Sequence, residues 1–597
     1  MVMLTARAGM LCAIDCYDER FKLKRIGMAW IKETRMWVMP LTTENLNSVL
    51  GVLKDPIIEA SLDEELEKQK EKEAKLRKLA QMSKKDTPVK LRVRGIKLAL
   101  FNYQKLGVMF FIANMEGVLF ADEMGLGKTL ESIATCCYLR YEHGIRHALL
   151  VVPAAVKWNW PIEIEKFTNE PYVVIDGSPD DRVKQWSGKW VCSRKPDGNY
   201  EYKRGTPFFY VTNYELITED LAGGRDVKVK NTDSPETATR KVRQINRKKK
   251  RQAQLAPIKG RTWGCVSLDE AHYIKTHKSK RSRNVKALKT DYRIALTGTP
   301  LDGKLEELHS IMEFVKPGLF ASKTRFLQRH ADFDYWGRIV KYKHIDEVRA
   351  RIAPFYIRRL KKDVKKDLPD KTYLNRYVEL SPVERKIYEE IADREHPCSE
   401  DTEAMTKVLR CKQFCDHPAL VLEDCKSSKM EAFLEVVEEL VVYNGEKVIV
   451  FTQYKEMLDL IDEEFGANKL KFLRIDGDTP PKERAAMQEK FNEDSTIDAI
   501  IGTEAMSTGL NLVGATYVIN YDDNWAPAIM RQREDRAHRE GQKNAVTVIN
   551  FIVRNTIEER IRSVLYDKEV VSSEVLGDET DEMVLKRLGP QDIAKLI

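Results

Sequence analysis

The sequence predicts an α/β fold: two parallel-sheet lobes with helical insertions, plus a small N-terminal α+β module. Three observations lead there. Short Val/Ile/Leu runs alternate with amphipathic helical stretches twice over, at about residues 91–319 and again at about 426–567. Alternation of this kind requires crossover helices and therefore parallel strands. Glycine-rich or charged motifs follow those strands at their carboxyl ends, where an open sheet binds ligands. The 597 residues suffice for roughly four units at ~150 residues each.

Residues 1–55 read as the separate module. Trp30 and Trp37 lie in short apolar runs on either side of Lys32-Glu-Thr-Arg35, a hairpin pattern, and Thr42 is placed to cap a helix running to Leu53. Residues 56–90 are a charged linker. Its stretch from Ser61 to Lys85, rich in Glu, Lys and Leu and free of glycine, predicts a solvated helix with Glu-to-Lys pairs. In the first lobe, 91–319, the expected strands are Gly117–Phe120, Ala148–Val152, Phe208–Thr212, Cys265–Leu268 and Tyr292–Leu296. The polar stretch 222–260 interrupts it as a flexible insert. Residues 320–425 are helix-rich and basic, notably at Arg358–Lys366, and read as a protrusion and linker region. The second lobe, 426–567, has expected strands at Lys447–Phe451, Phe472–Ile475, Ala499–Gly502, Tyr517–Tyr521 and Thr547–Ile552. A helical extension, 568–597, follows.

Composition narrows the class. Hydrophobic residues make up 43% and charged residues 32%, and no apolar run reaches the length that crosses a bilayer, so membrane functions are set aside. The short apolar start lacks a cleavage site, so no secretory signal is read. Ten scattered cysteines suit thiols kept reduced in a cytoplasmic compartment, the nucleus not being excluded. Cys411, Cys415 and His417 are spaced closely enough for zinc, but one helical turn between the sulfurs also suits a buried apolar stripe, the preferred reading. The net charge of +8 is too modest to name a partner. The run Arg240 to Arg251, which has no acid and includes Lys248, Lys249 and Lys250, is the candidate phosphate contact.

Chemistry concentrates in two motifs. Phe120-Ala-Asp-Glu-Met-Gly-Leu-Gly-Lys-Thr-Leu130 is a glycine-rich turn opening a helix, which points backbone N–H groups at phosphates. Lys128 adds a point charge and the Thr129 hydroxyl is a Mg²⁺ ligand. Asp269-Glu-Ala-His272 ends an apolar run. Asp269 is the second metal ligand, and Glu270 orients and deprotonates an attacking water. Together they imply hydrolysis of ATP with Mg²⁺.

Asp122 stands where the common phosphate-loop pattern has glycine. Asp-Glu-Met-Gly-Leu-Gly-Lys-Thr resembles instead the form found in the Swi/Snf-like ATPases, a branch of the superfamily-two helicases, and the motifs from Leu91 to Asp567 follow that family's order. The resemblance implies two RecA-like lobes. Leu100-Phe-Asn-Tyr-Gln104 resembles the segment whose glutamine reads adenine, which places Gln104 with Asp122, Gly125, Gly127, Lys128 and Thr129 in the nucleotide site. Val151-Val-Pro153 through Trp160 and Gly502–Leu512 resemble motifs on the DNA track, implying DNA contacts for Trp160 and Thr503. Leu296-Thr-Gly-Thr-Pro300 resembles the motif linking nucleotide state to DNA grip. Phe355-Tyr-Ile-Arg-Arg359 with Leu368-Pro-Asp-Lys371 is a signature that generic helicases lack. In Gln532-Arg-Glu-Asp-Arg-Ala-His-Arg-Glu-Gly-Gln542, Arg536 and Arg539 are spaced to share one helical face and match the catalytic arginines that reach the γ-phosphate across a closed cleft. Departures fall at Met506 and Ser507, where the pattern has glycines, and at Ala526, Arg533 and Glu540. Tyr17-Asp-Glu-Arg-Phe21, Trp30, Trp37 and Pro40-Leu41 resemble the HARP domain of annealing helicases.

The function so implied is an ATP-dependent double-stranded DNA translocase that remodels DNA structures, branched DNA included, by strand annealing or fork or branch migration, through lobe opening and closing. The alternatives are a motor that displaces a DNA-bound protein complex such as a polymerase, and a strand-separating helicase. A monomer is expected, with a polymerase or a single-strand-binding protein as candidate partner, and a DNA-repair setting.

Overall fold

The computed structural model describes residues 2–576, leaving out 8–9, 15, 17, 27, 32–34, 42, 54–55, 60, 196–199, 223–259, 302–303, 365–370, 394–399, 423–425, 508, 540 and 543. The chain forms two compact units, 1–364 and 365–597.

The first unit begins with strands β1 (Met3–Arg7), β2 (Met10–Ile14), β3 (Ala29–Ile31), β4 (Met36–Pro40) and β5 (Ile57–Ile58), in sheet order β3-β4-β2-β1-β5, with helices α1 (Arg20–Arg25) and α2 (Thr43–Leu50). The hairpin expected around the tryptophans is β3–β4, with Trp30 opposite Trp37. Leu4, Leu11, Leu23, Met28 and Val49 are buried in its core, and Trp37 packs against them partly buried. The Trp30 side chain and Thr42 lie outside the described residues.

Helix α3 (Ser61–Lys84) is the charged helix expected there, but one face of it is not solvated. Leu62 and Leu66 are buried in the core of the N-terminal module, whereas Leu76 and Leu79 are buried in the core of the lobe that follows. These leucines recur at helical spacing, so one narrow stripe serves both cores while Lys68 and Glu64, 2.7 Å apart, pair in solvent. The charged faces dominated the composition and hid the stripe.

The first lobe is built from α4 (Asn102–Asn114), β6 (Gly117–Phe120), α5 (Lys128–His143), β7 (Ala148–Val152), α6 (Asn159–Phe167), β8 (Tyr172–Val174), β9 (Trp190–Arg194), β10 (Tyr200–Arg204), β11 (Phe209–Asn213), β12 (Trp263–Leu268) and β13 (Thr290–Leu296). All five expected strands are present. With β16 (Tyr356–Ile357) the lobe's strands stand in a nine-stranded sheet, β10-β9-β8-β11-β7-β12-β13-β6-β16, which is parallel except for the β9–β10 hairpin at one edge. Every residue of β6, β7, β11 and β12 is buried, as expected where helices cover both faces. A small hairpin, β14 (Ala331–Phe333) and β15 (Ile339–Tyr342), follows β13 and precedes β16.

The second unit holds β17 (Lys371–Val378), β18 (Val448–Phe451), β19 (Phe472–Ile475), β20 (Ala499–Gly502), β21 (Tyr517–Asn520) and β22 (Val546–Val553), a parallel sheet in the order β17-β22-β21-β18-β20-β19. Its five expected strands are likewise found. Residues 320–425, read as one protrusion, are divided instead: β16 extends the first sheet beside β6, and β17 pairs with β22 along its whole length in the second. The two residues of β16 and the largely exposed β17 leave little hydrophobic signal, which is why neither strand was expected. Of the C-terminal extension, the helix Ile557–Leu576 is described. The insert 222–260 lies outside the described residues, apart from its two ends.

Candidate functional site

The loop between β6 and α5 has the geometry its glycines require. Gly125 and Gly127 stand at φ 85° and 78°, a left-handed conformation that favours glycine, and a Cβ on Gly127 would lie 2.5 Å from Gln104 Nε2. Lys128 and Thr129 open α5, so the first-turn N–H groups and the positive end of its dipole face the loop. Lys128 Nζ donates to the carbonyls of Asp122 (2.8 Å) and Glu123 (3.3 Å), holding its charge within the turn.

Gln104 is buried beside this turn. Its Oε1 accepts from Phe101 N–H (3.0 Å) and its Nε2 donates to Leu126 O (3.2 Å), so the structure shows it bracing the loop. Tyr103 Oη donates to the same carbonyl at 3.2 Å.

The Asp122 side chain is not part of the phosphate cradle, contrary to the sequence reading. It is fully buried and ion-paired with Arg359, whose main-chain N–H and Nε both donate to Asp122 Oδ1, at 3.0 and 2.8 Å. Arg359 Nη2 also donates to both oxygens of Glu131 on α5, at 2.7 and 2.8 Å. Burial, together with the Asp122 charge, pushes Glu131 well above the usual carboxylate range against the pull of Arg359. The backbone completes the seam: Ala121 N–H donates to Ile357 O (2.8 Å) and Glu123 N–H to Arg359 O (3.0 Å). Arg358 Nη1 donates to Ala121 O at 2.8 Å. Arg358 and Arg359, the start of the basic stretch noted in the sequence, are therefore the inner fastening of the loop. Glycine is replaced by Asp122 because a buried cation waits behind the turn.

Asp269 and Glu270 leave the end of β12. Trp160 Nε1 on α6 donates to Asp269 Oδ2 at 2.9 Å, and Glu270 N–H donates to Oδ1 at 3.0 Å. Tyr214 Oη donates to the Asp269 carbonyl at 2.7 Å. Burial, and next the neighbouring Glu270 charge, raise the Asp269 carboxyl to about 6, opposed by the Trp160 hydrogen bond and Lys128. Trp160, expected at the DNA track, is itself buried, 2% exposed, with its indole N–H turned onto Asp269. Its indole orients the carboxylate. A tryptophan at the second position of a helix was the available signal.

Glu270 has φ 49°, a conformation a non-glycine residue adopts at a cost. Its Oε2 lies 3.2 Å from His272 Nδ1. The residues read as metal ligands, the hydroxyl of Thr129 and the carboxylate of Asp269, are oxygen donors, the kind that suits a hard divalent cation such as Mg²⁺. In this role the ion would screen phosphate charge.

In the second unit, Arg536 and Arg539 are not on a helical face as expected. The helix Pro527–Glu534 ends before them, and both lie in the turns that follow. They nonetheless converge: Arg536 Nη1 and Arg539 Nη1 donate to Leu510 O at 3.0 and 3.4 Å. Arg536 is buried and Arg539 half-buried. Thr503 is half-buried just beyond β20, its N–H donating to Ile475 O at 3.2 Å.

The departures there have a packing cause. Glu504–Ser507 forms a 3₁₀ turn that buries Met506 in the core. Arg533, fully buried, is ion-paired with Glu504 and donates to Asp522 O at 2.9 Å, tying this turn to the end of β21. Sequence reasoning passed over Arg533 as a mere departure. Cys411 and Cys415 are packed in a hydrophobic cluster, where burial pushes both thiols up, and His417 Nδ1 accepts from Ala419 N–H at 3.1 Å. The stripe reading stands, and no metal-binding cluster occurs among the described residues. Lys248, Lys249 and Lys250 lie outside them.

Comparison with known proteins agrees with the motif order. A Mycoplasma pneumoniae protein named an uncharacterized ATP-dependent helicase is 31% identical over 498 residues, 81% of this chain and 43% of that protein. The putative ATP-dependent helicase/translocase YwqA of Bacillus subtilis is 30% identical over 81% of this chain and 50% of its own. A solved structure of the Sulfolobus solfataricus SWI2/SNF2 ATPase core in complex with dsDNA is 29% identical, covering 83% of this chain and 98% of that one with a TM-score of 0.37. The chain spans about half the length of the curated relatives it matches. Residues 428–541 match the helicase conserved C-terminal domain, and residues 103–420, more than half of the chain, match the SNF2-related domain: the chain belongs to the SNF2-related family.

Proposed function

We propose that this chain hydrolyses ATP at the Gly125–Thr129 loop and uses the cycle to translocate along double-stranded DNA, reshaping branched structures by annealing strands or migrating forks. The observation that carries it is the site in the first lobe. In this reading Lys128 and the N-terminus of α5 take the phosphates, the Thr129 and Asp269 oxygens take Mg²⁺, and Glu270 takes the water; the helix start at Lys128 and the Trp160 hydrogen bond to Asp269 support it. Arg539 of the second unit is the transition-state arginine in this reading, so turnover requires the lobes to close. Grip alternating between two lobes moves the protein along a strand. The names of the relatives, helicase and translocase, support the motor.

The N-terminal module, similar to the HARP domain, is assigned the choice of branched DNA. Its exposed surface includes Phe21, 68% exposed, with Arg20 stacked on the ring at 4.7 Å, and the exposed Lys22, Lys24 and Arg25 on α1. The experiment is ATP turnover by the full chain with duplex, single-stranded, forked and RNA ligands. Stimulation by duplex and fork, and little by RNA, is expected; turnover indifferent to every nucleic acid would overturn the proposal.

A further inference from the structure

The β14–β15 hairpin carries two aromatic side chains into water. Tyr335 is 95% and Trp336 77% exposed, and their rings stand at 90°, centroids 5.9 Å apart. The turn that holds them is built rather than slack. Asp334 Oδ1 accepts from the N–H groups of Trp336 (3.0 Å) and Arg338 (2.7 Å), Asp334 N–H donates to Arg338 O (2.9 Å), and Gly337 takes φ 78°. The root is anchored as well: Tyr342 Oη donates to Glu306 Oε2 at 3.1 Å, and Lys343 N–H to His330 O at 2.9 Å. Two large rings held in solvent by an ordered turn forgo the burial that would stabilise the fold, so the tip is shaped for something that covers it.

Charge identifies the occupant. Between residues 320 and 343 lie Lys323, Arg325, Arg329, Arg338, Lys341 and Lys343, against the acids Asp332 and Asp334 alone. Asp332 is paired with Lys343 at 2.5 Å, and the Asp334 carboxylate is turned into the backbone of the turn. Arg338 and Lys341 are exposed on the same hairpin. Flat π-faces accompanied by cations, with the nearby carboxylates engaged, match a polyanion that carries planar groups.

We infer that Tyr335 and Trp336 form a stacking site for unpaired DNA bases, with Arg338 and Lys341 against the adjoining phosphates. The inference rests on the DNA-motor reading and adds to it a contact specific for unpaired strand. It is tested on the full chain with 2-aminopurine-labelled oligonucleotides, single-stranded, forked and blunt duplex, in the wild type, Trp336→Ala, Trp336→Phe and Tyr335→Ala/Trp336→Ala. Affinity for the single strand and the fork is expected to fall about tenfold per ring removed. Trp336→Phe should retain most of it, and blunt-duplex affinity and duplex-stimulated turnover should stay within about twofold, the margin that tenfold loss must clear. Unchanged affinity for unpaired DNA, as a tip serving a protein partner would give, overturns the inference and leaves the motor intact. An equal loss on blunt duplex overturns it too. Absence of DNA-stimulated turnover in the wild type removes the motor reading instead, and the single-strand affinities still decide the stacking site.

Discussion

Asp269 shows how one neighbour sets a site's working range. Its carboxyl, raised to about 6 by burial and by Glu270, must be ionised to hold a cation, so turnover should fall as pH drops through about 6. Trp160→Phe removes the hydrogen bond that opposes the shift. The acidic limb of the turnover–pH profile should then move to higher pH, and a limb that stays in place would show the indole to be packing only. Lys128→Ala and Glu270→Gln should leave a folded chain with almost no ATP turnover, checked by calorimetric melting alongside phosphate release. The buried Asp122–Arg359–Glu131 cluster makes an unequal prediction. Asp122→Ala, which removes one partner of a buried pair, should cost about 3–5 kcal/mol in denaturant unfolding. Glu131→Gln should cost much less, since Glu131 is already pushed towards its neutral form. Equal costs would mean that Arg359 depends on both carboxylates alike.

At the scale of elements, α3 couples two cores through Leu62, Leu66, Leu76 and Leu79. Leu76→Ala should lose about 2–5 kcal/mol of stability. Removal of residues 1–55 would bare Leu62 and Leu66, so the role of the module is better probed by Lys22→Gln, Lys24→Gln and Arg25→Gln together. That variant should keep duplex-stimulated turnover and lose its preference for forks; an unchanged preference would exclude α1 from DNA. The turn after the helix Pro527–Glu534 separates two arginines that looked equivalent in sequence. Arg536 is buried, with Nε donating to Gln532 O at 3.1 Å, so its alanine variant should melt early as well as lose turnover. Arg539→Ala should melt normally and lose turnover by up to about 10³- to 10⁵-fold while nucleotide affinity, read with a fluorescent ATP analogue, changes far less.

Across the whole molecule, each unit carries its own parallel sheet, and the groups proposed for hydrolysis are divided between them. Lys128, Thr129, Asp269 and Glu270 belong to the first, Arg539 to the second. In the proposed cycle turnover answers to any ligand that favours closure, because neither unit holds a complete set. Separately expressed, the first unit should bind nucleotide and hydrolyse it hardly at all. DNA-stimulated hydrolysis by residues 1–364 alone would assign the whole reaction to that lobe.

By itself the sequence determined the alternation of strands and helices, the ten strands that bear the motifs, and the loop of Gly125, Gly127, Lys128 and Thr129. These rest on local pattern: apolar runs long enough to be buried on both faces, and glycines that only a left-handed turn requires. Tertiary structure decided what each polar side chain faces. Asp122 and Arg359 are 237 positions apart and Trp160 and Asp269 are 109 apart, so no spacing rule could join them. A buried arginine and an exposed one are written with the same letter. Only the packing of β16 against β6, and of α6 against the end of β12, made Arg358 and Arg359 a fastening and Trp160 the donor that orients Asp269.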